Sequence, residues 1–422
     1  MTTVFILIGV MAILMIIGVP ISLAVGAATM AAVIPFDIPL AVVAQRMFTA
    51  LDSTSTMAIP FFILAGNIMT QGGISRRLCE LCNDICGNIR GGMAYAVIFA
   101  CAFFAALSGS APATVLAIGS IFYPEMKKLG YPEKRAAGLL TVSGGLGPII
   151  PPSIIMVIYC TMTNTSVGDM FKAGVIWGGI LIVMLCGITA FLAKKENWPK
   201  SNKKINVKSL FSAVIKAIPA IFCPVIILGG IYSGIMTPTE SAAVAVVYSF
   251  VVGMFVYREL KPSHVIPIFL DSAKSSALVL FIIASSTAFS WVFTFSGAST
   301  EVVNWVLGMN LSPILFAFLV CIILQIFGTF LEGIATAVLL VPIFWPIAQS
   351  LGIDPVYFGM IVSLSNVLGT MDPPVAVNIF AAASISKLKV GDIVKGEIPY
   401  YIGFMLVLYL CVFFPQISAF LL

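Results

Sequence analysis

Charged side chains are scarce in this sequence, and histidine is nearly absent. Only 9% of the 422 residues are Asp, Glu, Lys or Arg, and one residue is a histidine. Soluble globular domains carry about 25% charged residues, so this composition excludes a water-soluble domain, a disordered tail and a nucleic-acid-binding protein. There is no His-Glu-x-x-His metal motif and no Gly-x-Ser-x-Gly nucleophile motif at a strand-to-helix turn, which argues against an intramembrane hydrolase.

Apolar residues are abundant instead. They make up 60% of the chain, and the mean hydropathy is +1.11. Apolar runs close to the ~20 residues that span a bilayer recur along the whole length. We therefore predict an all-α polytopic membrane protein. Cys79, Cys82 and Cys86 share one face of a predicted helix, but an iron–sulfur cluster needs a fourth ligand, so we expect no metal centre there.

The chain contains an internal repeat. At a shift of 222 residues the matching pairs include Ser143 with Ser365, Gly147 with Gly369, and Pro151-Pro152 with Pro373-Pro374. Gly and Pro constrain the path of the backbone, so their agreement indicates a shared fold and not merely a shared composition. The predicted divisions are a first repeat, 1–193, a basic linker, 194–210, and a second repeat, 211–422.

Each half shows the same order of predicted elements. Two short spans are followed by an amphipathic arm, a third span, a re-entrant hairpin, a proline-interrupted helix and a fifth span. The arms are predicted at 38–52 and 260–274, the hairpins at 92–126 and 313–348, and the broken helices at 133–162 and 355–385. Each hairpin segment is too short for two full crossings, and irregular backbone at membrane depth must be covered by protein or by a wet cavity.

The distribution of Lys and Arg determines the predicted topology. With five crossings in each half, most of the 22 Lys and Arg residues fall on the membrane face that carries the linker. The excess of positive charge marks this face as cytoplasmic. An odd number of crossings makes the two halves antiparallel, so we predict an inverted repeat whose termini are both periplasmic.

Inverted repeats with paired broken helices are typical of secondary transporters, whose sites lie near the bilayer midplane. The two hairpin tips and the two helix breaks therefore form the candidate site. Gly and Pro leave backbone carbonyls free there, and carbonyl, hydroxyl and amide oxygens together suit a sodium ion. The predicted sodium ligands are Ser108, Ser110, Ser143, Gly144, Gly147, Gly328, Thr329, Thr336, Asn366, Gly369 and Asp372.

The same breaks predict a site for an anion. Helices that restart at Ser153 and Val375 would direct their partly positive N-termini inward. Carboxylates at membrane depth are functional candidates, although we expect Glu240 to cap a helix. The single histidine has no acidic relay around it, which favours sodium over proton coupling. The predicted substrate-binding residues are Ser108, Ser110, Thr114, Ser153, Glu332 and Asp372.

These motifs resemble the large membrane subunit (M, or DctM type) of tripartite ATP-independent periplasmic (TRAP) transporters. The resemblance covers nearly the whole chain and is most specific at residues 108–114, 134–140, 147–153 and 371–374. It implies an elevator-type transporter with scaffold and transport regions in the bacterial inner membrane, coupled to Na⁺. A channel would instead need a continuous polar pore ring.

The resemblance also implies partners. These are a separate small four-helix membrane subunit (Q), a periplasmic substrate-binding protein (P), the lipid bilayer and a small organic acid, either a sugar acid such as sialic acid or a C4-dicarboxylate. No nucleic acid is expected. The alternative is a stand-alone sodium- or proton-coupled anion symporter that works without a binding protein.

Overall fold

The computed structural model describes residues 2–86, 89–200, 207–373 and 376–419. Within these ranges the chain folds into α-helices and contains no β-strand, apart from an isolated bridge between Arg90 and Lys200. The all-α prediction is confirmed.

Ten α-helices occupy the described part of residues 1–200. They are α1 (Thr2–Ile16), α2 (Ile21–Val33), α3 (Leu40–Leu51), α4 (Thr54–Gln71), α5 (Ile74–Cys86), α6 (Gly92–Ser108), α7 (Ala111–Lys128), α8 (Glu133–Gly144), α9 (Ile154–Thr163) and α10 (Val167–Lys195).

Ten more occupy the described part of residues 207–419. They are α11 (Val207–Tyr232), α12 (Pro238–Val251), α13 (Pro262–Phe295), α14 (Ala298–Gly308), α15 (Pro313–Phe330), α16 (Gly333–Ser350), α17 (Pro355–Gly369), α18 (Val377–Ser386), α19 (Val390–Phe413) and α20 (Pro415–Ala419). A π-helical turn, Val252–Val256, continues α12.

Seven helices in the described ranges are long and apolar enough to cross a membrane: α10, α11, α12 with its π turn, α13, α15, α16 and α19. An eighth span would be α3 with α4, which are bent by 57°. Others, including α1, α2, α9 and α18, are apolar but shorter. Several predicted crossings are thus formed by short helices or by pairs of helices. The cause is that Gly and Pro interrupt the helical hydrogen-bond ladder.

Each predicted hairpin and each predicted broken helix appears as a pair of helices. α6 and α7 meet at Gly109, and α15 and α16 meet at Leu331. The first break separates α8 from α9, and the second separates α17 from α18. The predicted restart at Val375 lies, with Pro374, outside the described residues, and α18 begins at Val377.

The second predicted arm, 260–274, is not a separate element. α13 runs for 34 residues without interruption, so this arm and the third span form one helix. No Gly or Pro lies between Pro267 and the end of α13, and nothing in that stretch stops the helix. In the first half the arm is a separate helix: α3 ends at Leu51, and Asp52 and the extended Ser53 separate it from α4.

The predicted linker, 194–210, is shorter in the structure. α10 continues to Lys195 and α11 begins at Val207, while residues 201–206 lie outside the described part of the chain. The segment after α10 packs against the protein. Trp198 is buried, and its Nε1 donates to Glu196 Oε2 at 2.9 Å.

Helices from the two predicted halves pack directly against each other where α8 meets α19. A Cβ atom at Gly396 would overlap the backbone carbonyl of Lys134, and one at Gly138 would overlap the amide of Glu397. Arg135 Nη1 donates to the Gly396 carbonyl at 3.0 Å. Glycine therefore brings the two backbones into contact at this crossing, as small residues do in membrane helix pairs.

Candidate functional site

A cavity of about 360 Å³ lies where both hairpin tips and both helix breaks converge. The first tip contributes Ser108 and Ser110, and the second tip contributes Glu332. The breaks contribute Pro148 and Asn366, and α4 and α13 close the remaining wall. The structure thus brings together four stretches that are far apart in the sequence.

The first tip is a tight turn that hydrogen bonds hold in place. Gly109 has a φ of +59°, which is unfavourable for residues with a Cβ. The hydroxyls of Ser108 and Thr114 lie 2.9 Å apart, and Thr114 Oγ1 donates to the Ser110 carbonyl at 2.8 Å. Thr114 is fully buried, so it supports the tip from behind while Ser108 and Ser110 face the cavity.

The second tip repeats this arrangement. Thr336, which is equivalent to Thr114 at the shift of 222, donates Oγ1 to the Glu332 carbonyl at 3.2 Å. Thr329 Oγ1 donates to the Gln325 carbonyl at 3.0 Å, so its hydroxyl is directed back into α15. Glu332 is the only acidic residue among the described residues that line the cavity, and its side chain is exposed there.

The first break presses against the first tip. A Cβ at Gly147 would lie 2.7 Å from the Ser110 carbonyl oxygen, and one at Gly144 would overlap Val115. The Ser143 carbonyl accepts from the Leu146 amide at 3.1 Å, and the Gly144 carbonyl accepts from the Gly147 amide at 3.0 Å. The buried hydroxyl of Ser143 has no hydrogen-bond partner within the described ranges.

The second break shows the same close approach to its tip. A Cβ at Gly369 would lie 2.7 Å from Gly328 Cα, so α15 and α17 touch through their backbones. The side-chain oxygen and nitrogen of Asn366 are both buried and have no hydrogen-bond partner among the described residues. The same holds for Ser365 Oγ, which lies near the weakly polar Cys321 thiol. Buried polar atoms of native proteins normally have partners, so these atoms are candidates for contact with a ligand.

Three predicted substrate residues, Thr114, Ser153 and Asp372, are not among the described residues of the cavity wall, and Thr114 lies behind the first tip. Ser153 is buried and caps α9, with its Oγ accepting from the Met156 amide at 3.3 Å. Asp372 lies close to Tyr401 of α19 and near the buried Glu397. Ser153 and Asp372 therefore lie beside the breaks and interact with other parts of the helical framework.

The wall formed by α4 and α13 was not predicted from the sequence. Asn67 and Thr70 of α4 and Ser275 of α13 line the cavity. Asn67 Nδ2 donates to Ser272 Oγ at 2.8 Å and so connects the two helices. A Cβ at Gly66 would lie 3.1 Å from the carbonyl of Leu107, so α4 reaches the first tip. The sequence signal that could have indicated this wall is Asn67, a polar residue within an apolar span.

The arrangement suits cations and anions at neighbouring positions. Carbonyl and side-chain oxygens at the breaks can coordinate a small hard cation. α7 and α16 both begin at the cavity, and their first residues present amide groups that favour an anion. No Lys, Arg or His lies among the described lining residues, so the helix ends are the source of positive potential in this wall.

Comparison with known proteins identifies the family. Residues 8–417 match the family model described as "Tripartite ATP-independent periplasmic transporter, DctM component". The chain is 40% identical to a C4-dicarboxylate TRAP transporter large permease protein, DctM, of Pseudomonas aeruginosa, over 89% of this chain and 88% of that protein. It is 32% identical to a sialic acid TRAP transporter large permease protein, SiaM, of Vibrio cholerae, over 90% of this chain and 88% of that protein.

A relative with a different cargo name is longer than this chain. The isethionate TRAP transporter permease protein DctMQ of Oleidesulfovibrio alaskensis is 38% identical over 98% of this chain, which spans 66% of that protein.

The fold also has a counterpart among solved structures. The crystal structure of the Alcanivorax borkumensis YdaH transporter superimposes with a TM-score of 0.68 at 13% identity, covering 89% of each chain. At that identity the likeness concerns the fold alone. The family match, which extends over almost the whole sequence, shows that this chain belongs to the DctM family, the large membrane permease component of tripartite ATP-independent periplasmic transporters.

Proposed function

We propose that this permease imports a small organic acid together with sodium ions, which bind at the two helix breaks. The observation that carries the proposal is the convergence of both tips and both breaks on one cavity, beside buried oxygens of Ser143 and Asn366 that have no hydrogen-bond partner in the described part of the chain. A sodium ion at each break would satisfy oxygens that are otherwise costly to bury.

The cargo we propose is a small anion with an acid group. The relatives described above carry the names of C4-dicarboxylate, sialic acid and isethionate transporters, and all three compounds are acids. The cavity volume is adequate for a molecule of that size. We propose that Ser108 and Ser110 donate to the acid group, with the N-termini of α7 and α16 nearby. Glu332 would repel a carboxylate, so it would hold a hydroxyl group or sodium.

The partners and the mechanism remain parts of the same proposal. We infer that a small membrane subunit (Q) and a periplasmic binding protein (P) work with this chain in the bacterial inner membrane. The two halves would form an inverted repeat, and the tips and breaks would move as one transport region against a scaffold that includes α4 and α13. A stand-alone symporter would transport at full rate in proteoliposomes without the binding protein, which would contradict this assembly.

Ser143 provides the sharpest test of a sodium site. Ser143→Ala removes a hydroxyl that has no partner within the described part of the chain, so without sodium the melting temperature should change little. With saturating sodium the wild type should gain stability by ligand linkage, and Ser143→Ala should lose most of that gain. The measurement is the melting temperature of the purified protein across a NaCl series, with choline chloride replacing NaCl at constant ionic strength.

Ser363 offers a matched control for Ser143. It is also a buried serine, in α17 ahead of the second break, but its Oγ donates to the Gly359 carbonyl at 2.8 Å. Ser363→Ala should keep the full sodium-induced gain. Equal sodium responses in wild type and Ser143→Ala would remove Ser143 from the ion site.

The orientation of the chain can be tested by labelling two exposed positions. Lys200 follows α10 on the linker side, and Asn304 lies on α14, which the predicted topology places outside. A membrane-impermeant maleimide added to spheroplasts should label Asn304→Cys, whereas Lys200→Cys should react only after lysis. The parent chain, whose described cysteines are mostly buried, gives the background. The reverse pattern would invert the proposed topology.

A further inference from the structure

A second cavity, of about 370 Å³, shares no described lining residue with the transport cavity. It forms where α5 packs beside the start of α11 and the turn that ends α12. Because α11 begins and α12 ends on the linker side, the cavity lies at the boundary between the membrane and water. Its lining includes Arg76, Arg77, Glu80, Ile215, Lys216 and Tyr257.

The two arginines of this cavity are held in place. Arg77 lies with its Cζ 3.8 Å from the centre of the Tyr257 ring, and its Nη1 donates to Glu259 Oε1 at 2.8 Å and to the Gly73 carbonyl at 2.9 Å. Arg76 Nη2 donates to the same Glu259 oxygen at 2.5 Å. Each guanidinium has five N–H donors, so both arginines keep donors for a further ligand.

Lys216 adds a third positive charge. Its backbone carbonyl accepts a hydrogen bond from the Tyr257 hydroxyl at 2.7 Å, which fixes the start of α11 beside the arginines. Its exposed ammonium group has no ion pair or hydrogen bond within the described ranges. The cavity lining has one carboxylate, Glu80, which lies 3.6 Å from Arg76, and Glu259 pairs with both arginines, so three cations stand against two carboxylates. The cavity is therefore positive and suits an anion with several oxygens.

The charged cavity opens onto apolar, exposed surface. Ile215 and Val256 line the cavity and are themselves exposed. The stripes that continue from it along the two helices carry Phe211, Ile218 and Phe222 on α11 and Val247, Val251 and Phe255 on α12. Their spacing places each set on one helix face, within segments long and apolar enough to span the membrane. Acyl chains can pack against this apolar surface, whereas a free inorganic anion would make no favourable contact with it.

We propose that this cavity binds the phosphate group of an anionic phospholipid, whose acyl chains lie along α11 and α12. Basic pockets between membrane helices attract anionic headgroups, and the planar fork of arginine matches phosphate oxygens. Tyr257 lies at the depth where aromatic side chains favour the interface. A lipid bound here would connect α5 to the two spans at the membrane surface.

Native mass spectrometry of the purified chain with added phosphatidylglycerol tests this proposal. Lys216→Gln and Arg76→Gln should each weaken phosphatidylglycerol binding about fivefold, because each basic side chain near an anionic headgroup contributes to affinity. Arg77 is left unchanged because it also packs on the Tyr257 ring and donates to the Gly73 carbonyl, so its loss would disturb the local fold. Lys261→Gln is the matched control: it removes an exposed cation close by in the sequence that is not among the lining residues, and it should bind as the wild type does.

Three results would overturn the proposal. One is equal affinity for phosphatidylglycerol and zwitterionic phosphatidylcholine. Another is wild-type affinity in both variants, provided that their melting temperatures show that they are folded. The third is that inorganic phosphate alone raises the melting temperature as much as phosphatidylglycerol does, since the ligand would then be a free anion.

Discussion

Gly369→Val should abolish sodium-driven uptake while the protein remains folded. A Cβ at this position would lie 2.7 Å from Gly328 Cα and 2.9 Å from the Gly328 carbonyl carbon. Both are backbone atoms, so no side chain can rotate away, and α15 must separate from α17. That shift displaces the carbonyls around the second break. Overpacking of this kind costs about 1–3 kcal/mol, enough to weaken ion binding about tenfold or more.

Uptake would be measured in proteoliposomes that contain this chain and the small membrane subunit, with a purified binding protein and an inward sodium gradient. Labelled C4-dicarboxylate, sialic acid and isethionate serve as the cargo panel. Gly187→Val is the control, because a Cβ at Gly187 in α10 meets no atom within 4 Å. If Gly369→Val retains wild-type sodium dependence and rate, the second break does not hold a sodium ion.

Gly396→Val should strongly destabilise the protein. A Cβ at Gly396 would overlap the carbonyl of Lys134, and the facing Gly138 leaves no room on the other side of the crossing. The valine would separate α8 from α19 and also weaken the ion pair between Lys134 Nζ and Asp392 Oδ1, now 2.7 Å long. We expect the melting temperature to fall by about 5 °C or more, with reduced yield of folded protein.

Gly391 provides the comparison within the same helix. It lies in the first turn of α19, and a Cβ there would meet no atom within 4 Å. Gly391→Val should therefore melt close to the wild type. Wild-type stability of Gly396→Val, measured by thermal unfolding in detergent, would mean that α8 and α19 are not in backbone contact.

The repeated Gly and Pro residues predicted the positions of the tips and breaks, because these residues act on the backbone where they stand. The capping role expected for Glu240 is also confirmed, since its Oε2 accepts from the Thr237 amide at 2.7 Å in a capping box. Local rules of this kind need no knowledge of the fold.

Contacts between distant segments could not be predicted in the same way. Asn67 and Ser275 line the transport cavity because α4 packs against α13, and that packing depends on the whole helix arrangement. α5, which carries the helical face of Cys79, Cys82 and Cys86, was not among the predicted spans, arms or hairpins because its 13 residues are amphipathic and do not form an apolar span. The continuous α13 differed from prediction because repeat symmetry was extended to a segment where the helix has no breaker.

The positions of the lining residues along α13 and α4 indicate the depth of the transport cavity in the membrane. The 34 residues of α13 extend about 50 Å, against about 30 Å of hydrocarbon, and its polar start around Asp271 and Lys274 belongs near the headgroups. Ser275 and Leu278, which line the cavity, follow directly after that polar start. On α4 the cavity is lined by residues near the end of the helix, Asn67 and Thr70. By this placement we expect the cavity to lie in the leaflet nearer the linker. If that side is the cytoplasm, as proposed, this conformation is the one from which cargo leaves.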